Sequence, residues 1–238
     1  MKIKSWIAAS LFSVLFLSSV SYASNPDLDR RILESKQVIS EIMDSPDKSI
    51  PEEMLAKCKA IAIYPNVFKG AFIFGGRFGQ GVVLRRDEKT GQWGPAAFST
   101  IGGGSWGLQI GGELTDLILV IMSERGLDGL LSNNVTVGGD VGFAAGPVGR
   151  NSELSTDLTL RAGILSYSRA RGLFGGLALD GAVLTQDNNS NINYYGKSVS
   201  GRDILINNAV TIQPSSQDLV DALNEFSTRW DKRIKGRK

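Results

Sequence analysis

The residues of this chain whose type and spacing could do chemistry are mostly cations. Arg229, Lys232, Arg233, Lys235, Arg237 and Lys238 cluster around Trp230 near the C-terminus, with only Asp231 opposing them. Each basic group near an anionic surface contributes about 1 kcal/mol, and the attraction fades within roughly 8 Å at physiological salt. Several together could therefore hold the chain at a membrane, with Arg229, Trp230, Lys232 and Arg233 as contacts. The competing reading is a solvated helix end whose cations complement the C-terminal dipole. Arg169 and Arg171 alternate with Ser168 and Ala170, which on an extended strand places both guanidinium groups on one face. A guanidinium offers phosphate oxygens a planar fork, but for any one cation an exposed or ion-paired structural role is the alternative.

Nucleophilic and metal chemistry fare worse. The chain has no histidine, which removes Ser-His-Asp and Cys-His systems and every His-containing zinc site together. Asp116, Asp140, Asp157 and Asp180 are scattered singly, and nothing in their spacing brings two to one face for paired-carboxylate work. They read as strand-end or turn residues. The single cysteine, Cys58, excludes an intrachain disulfide, and its apolar helical surroundings favour a buried, inert thiol. No enzyme activity and no cofactor are expected.

The elements that must position these residues begin with a leader. Lys2 and Lys4 precede an apolar run from Trp6 to Val20 that ends in Ser21-Tyr22-Ala23, the three-part pattern of a signal peptide over residues 1–23. The run is shorter than the ~20 residues a bilayer-spanning helix needs. Export to a periplasmic or secreted location, peripheral to a membrane, is the expectation. Losing Lys2 and Lys4 takes the formal net charge from +2 to zero, so no global field draws the chain to nucleic acid. Residues 24–238 show no Pro- or Ser-rich linker and read as one domain.

That domain opens with a helix from about Asp27 to Met43. Leu28, Ile32, Ile39, Ile42 and Met43 fall on one stripe, with Arg30, Arg31 and Lys36 off it. Such a helix could lie on an anionic surface with those three cations as membrane contacts, while core packing is the competing use of the stripe. A second helix is expected to about Lys59, with Ser49 as its hydroxyl cap. From Ala60 to about Gln186, short β-rich runs follow, separated by glycines: Ala60–Tyr64, Ala71–Phe74, Val82–Arg86, Leu117–Met122, Val135–Val137, Leu158–Leu165 and Leu173–Leu184. A helical turn over Ser123–Leu131 interrupts them. A last helix, about Ser216 to Ile234, carries Leu219, Leu223, Phe226, Trp230 and Ile234 at three- and four-residue steps.

The 28 glycines stand well above the roughly 7% usual level. No Gly-x-x-x-x-Gly-Lys-Ser/Thr occurs, and no Gly-x-Gly-x-x-Gly sits between a strand and a long helix, so a phosphate-cradling loop is disfavoured. Glycines that let strands bend and approach closely are the better account. The expected fold is α+β: a curved antiparallel β-sheet, barrel- or sandwich-like, flanked by N-terminal and C-terminal helices. Trp93, beside the turn Gly94-Pro95, and Phe174, among glycines, are expected to be buried.

The pattern resembles the SYLF-domain family, a lipid-binding domain also known for actin binding in yeast. The resemblance runs from Ile50-Pro51 through Lys69-Gly70-Ala71-Phe72, the glycine-rich Gly75–Gly81 and Gly91–Ala96 to Gly107–Gly111 and Thr115-Asp116. It continues over Ala144–Arg150 and Tyr167–Gly176, the most specific segment, and closes at Asn193-Tyr194-Tyr195-Gly196. It implies a non-enzymatic domain that binds membrane lipid, and it is closest in kind to exported bacterial members. Lys69, Arg77, Arg150, Arg169 and Arg171 match basic positions of the family pattern and are the implied lipid-headgroup contacts. An anionic phospholipid or other membrane lipid is the expected partner. The alternative is an envelope protein partner, in a protein-interaction or structural role. An exported chain would not ordinarily meet phosphoinositides or actin.

Overall fold

The computed structural model describes residues 25–45, 49–71, 75–105, 111–132, 135–136, 142–148, 162–170, 173–175 and 181–236. The expected leader lies outside the described residues.

Helix α1 spans Pro26–Met43, with proline in its first turn and Asp27 and Asp29 facing the positive end of the helix dipole. Its stripe is core: Leu28, Ile32, Ile39, Ile42 and Met43 are all buried, packed on the sheet and on the last helix. This corrects the membrane use of the stripe, because a face buried in the fold is not free to enter a bilayer. Helix α2 covers Glu52–Lys57, and Ser49 does not cap it. The N-cap position is Pro51 itself; proline disfavours helical backbone in the residue before it, so the helix starts beyond the reach of the Ser49 hydroxyl.

Four long antiparallel strands form the centre: β1 Ala60–Ala71, β2 Gly75–Arg86, β3 Trp93–Ser105 and β4 Gly111–Ile121. Helix α3, Glu124–Leu131, follows, N-capped by the Ser123 hydroxyl, which accepts from the Gly126 N–H. Short strands complete the sheet: β5 Val135–Thr136, β6 Phe143–Ala145, β7 Ile164–Ala170, β8 Leu173–Gly175 and β9 Val183–Gln186. Their order is β5-β9-β3-β2-β1-β4-β7-β6, with β8 paired to β7. The sheet curls into a half-barrel and stays open among the described residues, since its path ends on two different strands. One pair departs from the antiparallel expectation: β6 runs parallel to β7, and residues 146–163 between them exceed the dozen or so that a parallel crossover needs.

Strand β3 was hidden in the sequence by its breakers. Gly94 and Pro95 sit where the β2–β3 register slips between Leu84 and Arg86, and a proline at such an irregularity forfeits no ladder hydrogen bond. The expected strand Leu158–Leu165 falls mostly outside the described residues; of Leu173–Leu184, β8 and the start of β9 are strand, and residues 176–180 lie outside the described residues. Three helices end the chain: α4 Asn188–Tyr195, α5 Gly201–Leu205 and α6 Pro214–Lys235. Helices α1, α5 and α6 pack on the sheet, and α6 also packs on α1 and α2.

The buried interface between helices and sheet is pinned by polar contacts at large side chains. Trp93, 2% exposed, donates its indole N–H to Ser227 Oγ at 3.2 Å, and its backbone N–H goes to Asn224 Oδ1 at 3.0 Å. Tyr195 donates to the Ala96 carbonyl at 2.7 Å, and the Phe98 N–H donates to Asn191 Oδ1 at 2.7 Å. Trp93 is therefore structural, as expected, although Gly94-Pro95 beside it is the irregular start of β3 and not a turn. The side chain of Phe174 lies outside the described residues.

Candidate functional site

Strand β1 is bulged in its middle. Its pairing with β2 slips between Ile63 and Phe68, and its pairing with β4 slips between Tyr64 and Val67. Pro65 and Asn66 occupy the slip, and Asn66 takes a left-handed backbone with φ of 52°, which asparagine tolerates better than most residues. Glycines in β2 let the strand close on this bulge. A Cβ at Gly81 would stand 2.1 Å from the Ile63 carbonyl oxygen, and one at Gly79 would stand 2.7 Å from Val67 Cγ2.

Beyond the bulge, the strands carry an apolar ridge into solvent. Phe68 pairs across with Phe78 on β2 and with Leu114 on β4. Opposed residues of neighbouring strands share a face, so the three side chains form one row. They are 52%, 56% and 58% exposed. The next rung pairs Lys69 with Arg77 and with Glu113, and by strand alternation it points to the opposite face. Lys69 and Arg77 are half-buried.

A cleft of about 380 Å³ lies between the first half of α1 and this hairpin. Asp27, Arg30, Arg31 and Glu34 line it from the helix; Pro65 and Asn66 from the bulge; Phe68, Phe78, Gly79 and Gln80 from the strands. Arg30 is exposed and held between Asp27 Oδ1 at 3.2 Å and Glu34 Oε1 at 3.3 Å. Arg31 turns inward, to Asp187 Oδ2 at 3.2 Å and over the Phe98 ring at 5.5 Å. With its side chain only 12% exposed, it ties α1 to the start of α4.

The other expected site residues separate. Arg169 gives two hydrogen bonds to Asp116 Oδ2, from Nε at 2.9 Å and Nη2 at 2.5 Å, and also pairs with Glu41 on α1. Asp116 Oδ1 accepts the Asn66 N–H at 3.0 Å. Burial pushes the Asp116 carboxyl up, against that N–H, which stabilises its charged form. Arg169 thus binds β7, β4 and α1 together, and it does not join Lys69 and Arg77. Arg150 and Arg171 lie outside the described residues. In α6, Arg229 pairs with Glu225 at 2.8 Å over the Phe226 ring, and Arg233 pairs with Glu52 of α2 at 2.5 Å. Trp230 is half-buried, Lys232 is exposed and, on α1, Lys36 is half-buried. Arg233 thus clamps α6 on α2, while Arg237, Lys238 and the Lys235 side chain lie outside the described residues.

Cys58 is buried, and burial pushes its thiol up to about 12. Burial likewise raises the Tyr64, Tyr167 and Tyr195 phenols above their ordinary value. Among the described residues no three His, Cys, Asp or Glu side chains group as metal ligands, and no helix is long and apolar enough to cross a membrane. Sequence reasoning missed Phe68, Phe78 and Leu114. The available signal was that all three sit within β-rich, glycine-punctuated stretches without belonging to a recognisable core alternation.

Residues 102–226 match the family described as Ysc84, Las17-binding protein actin regulator. The chain is similar to the SH3 domain-containing YSC84-like protein 1 of Bos taurus, 32% identical over 79% of this chain and 54% of that protein. The Homo sapiens protein of the same name is 33% identical over 82% of this chain and 57% of its own length. Protein YSC84 of Saccharomyces cerevisiae is 32% identical over 74% of this chain and 38% of that protein. The chain spans about half the length, or less, of these relatives.

Proposed function

This chain belongs to the Ysc84 family, and from that premise we propose that it is a non-enzymatic binding domain that docks reversibly on an anionic phospholipid surface of the cell envelope. The proposal includes export: residues 1–23 direct the chain out of the cytoplasm, and residues 24–238 act as one peripheral domain in the periplasm or outside. The observation that carries the reading is the row Phe78–Phe68–Leu114, three large apolar side chains more than half exposed in adjacent register. Scattered exposed apolar residues are ordinary, whereas a contiguous row at the end of a hairpin is the shape of an insertion edge.

Seating the row in the acyl boundary removes apolar surface worth about 1 kcal/mol for each half-exposed side chain. Lys69 and Arg77, one rung away on the other face, share that rung with Glu113, so together they add about what one cation does against anionic headgroups, roughly 1 kcal/mol. The sum is a few kcal/mol, which suits weak, reversible docking. The absence of histidine and the dispersed carboxylates support a role without catalysis.

The family description favours a second reading, in which the same row meets a protein partner. Sedimentation of residues 24–238 with liposomes of phosphatidylcholine alone, and with added phosphatidylglycerol, separates the two. Co-sedimentation that grows with the anionic fraction is expected. No sedimentation with either composition at low salt would sink the lipid reading and leave the protein-partner one.

A further inference from the structure

We infer that the cleft between α1 and the β1–β2 hairpin is a headgroup site for a zwitterionic phospholipid, one carrying a phosphate and an ammonium together, because it sets Arg30 between Asp27 and Glu34 in a cleft that Phe68 and Phe78 also line. The inference rests on the membrane reading above and adds to it a zwitterionic lipid, held in the cleft within a bilayer whose net surface charge is the anionic one that reading names.

The charges of the lining exclude simpler ligands. Arg31 faces the cleft but is committed to Asp187, which leaves Arg30 as the working cation against two carboxylates. A purely anionic headgroup would meet net repulsion there, and a purely cationic one would have to displace the Arg30 guanidinium from both carboxylates with no anion to receive it. A zwitterion meets neither. Its phosphate takes the Arg30 fork, and its ammonium takes the place of that guanidinium on Asp27 and Glu34. The exchange is cheap, because the ion pairs it replaces are exposed and weak. The two phenylalanine rings add a face that attracts an ammonium more than a neutral group. About 380 Å³ holds a headgroup and not two acyl chains, which suits a lipid whose tails stay in the bilayer beside the ridge.

Geometry supports the assignment from the floor as well. Asn66 is fixed by its N–H to Asp116, and Asp116 in turn by Arg169, so the bulge beneath the cleft is held from β4 and β7. That support does not draw on any residue assigned to the ligand.

Titration of residues 24–238 with glycerophosphoethanolamine, inorganic phosphate and ethanolamine tests the inference, read by calorimetry and by the shifts of Phe68 and Phe78 ring resonances. Glycerophosphoethanolamine should bind about tenfold more tightly than either fragment, and Arg30→Gln and Glu34→Gln should each weaken it by about tenfold with the melting temperature unchanged. Phosphate alone binding as tightly as glycerophosphoethanolamine would overturn it in favour of an anion site. Liposome sedimentation without binding of glycerophosphoethanolamine would overturn it and leave the membrane reading standing. Binding of glycerophosphoethanolamine with no liposome sedimentation would uphold the cleft chemistry and remove the membrane reading instead.

Discussion

At Asp116 two hydrogen bonds from Arg169 and one from the Asn66 backbone converge on a single carboxylate that is only 11% exposed. A guanidinium spent in this way is a poor candidate for a headgroup contact, although its spacing with Arg171 suggested one. Spacing shows which face a side chain takes on a strand, but not which partner stands opposite it, and here the partner is Asp116 across the β4–β7 ladder. Arg169→Ala is therefore expected to lower stability by about 2 kcal/mol, because it leaves Asp116 partly buried and short of donors. The denaturant midpoint should fall while liposome binding of the folded fraction holds. A variant of unchanged midpoint that no longer sediments with liposomes would return Arg169 to the ligand. Trp93 shows the opposite case: its place beside Gly94-Pro95 signalled burial, and at the irregular start of β3 its ring packs against α6.

Among the elements, the long periodic helices α1 and α6 were legible, and so were α2 and α3, whereas two short capped helices were not. The stripe of α1 and the steps of α6 repeat over many residues, and each helix lies within two residues of its expected bounds. Helices α4 and α5 are short and were not foreseen, yet each carries a local signal. Asp187 accepts the Ser190 N–H, and Ser200 and Asp203 form a reciprocal capping box. What the stripe of α1 could not reveal was its use, since a core face and a membrane face have the same period. The glycines of β2 were correctly read as structural, and the bulge explains why. At Gly81 a methyl group would be driven into the Ile63 carbonyl, a backbone atom that cannot turn away. Gly81→Ala should cost about 1–3 kcal/mol, as overpacking does in a closed core. Thermal unfolding measures it; an unchanged melting temperature would show that β1 and β2 separate there without penalty, and with that the rigid floor of the cleft would be lost.

Across the whole molecule, apolar and charged surface are divided between two faces of one hairpin, and this division fixes how docking should respond to salt. From residue 24 onward the formal charge is zero, so no long-range field assists the approach, and attraction depends on local groups within roughly a Debye length of 8 Å. On the proposed reading that attraction falls to Lys69 and Arg77, which pair across β1 and β2, and to the exposed Lys232. Their share of binding is electrostatic and should disappear in high salt. The share due to Phe68, Phe78 and Leu114 grows with buried area at about 25 cal/mol per Å² and should persist. Lys69→Gln with Arg77→Gln is expected to abolish the salt-sensitive part of sedimentation with phosphatidylglycerol liposomes, with little change at high salt. Phe68→Ser with Phe78→Ser should remove the salt-resistant part and leave the sensitive one. Phe68 and Phe78 are more than half exposed, so the fold should tolerate the serine pair; Lys69 and Arg77 are half-buried, so the melting temperature of the glutamine pair is read alongside its sedimentation. If the serine pair sediments like the unmodified chain at high salt, the row does not enter the bilayer, and the exposed apolar surface of the hairpin is a protein-facing edge.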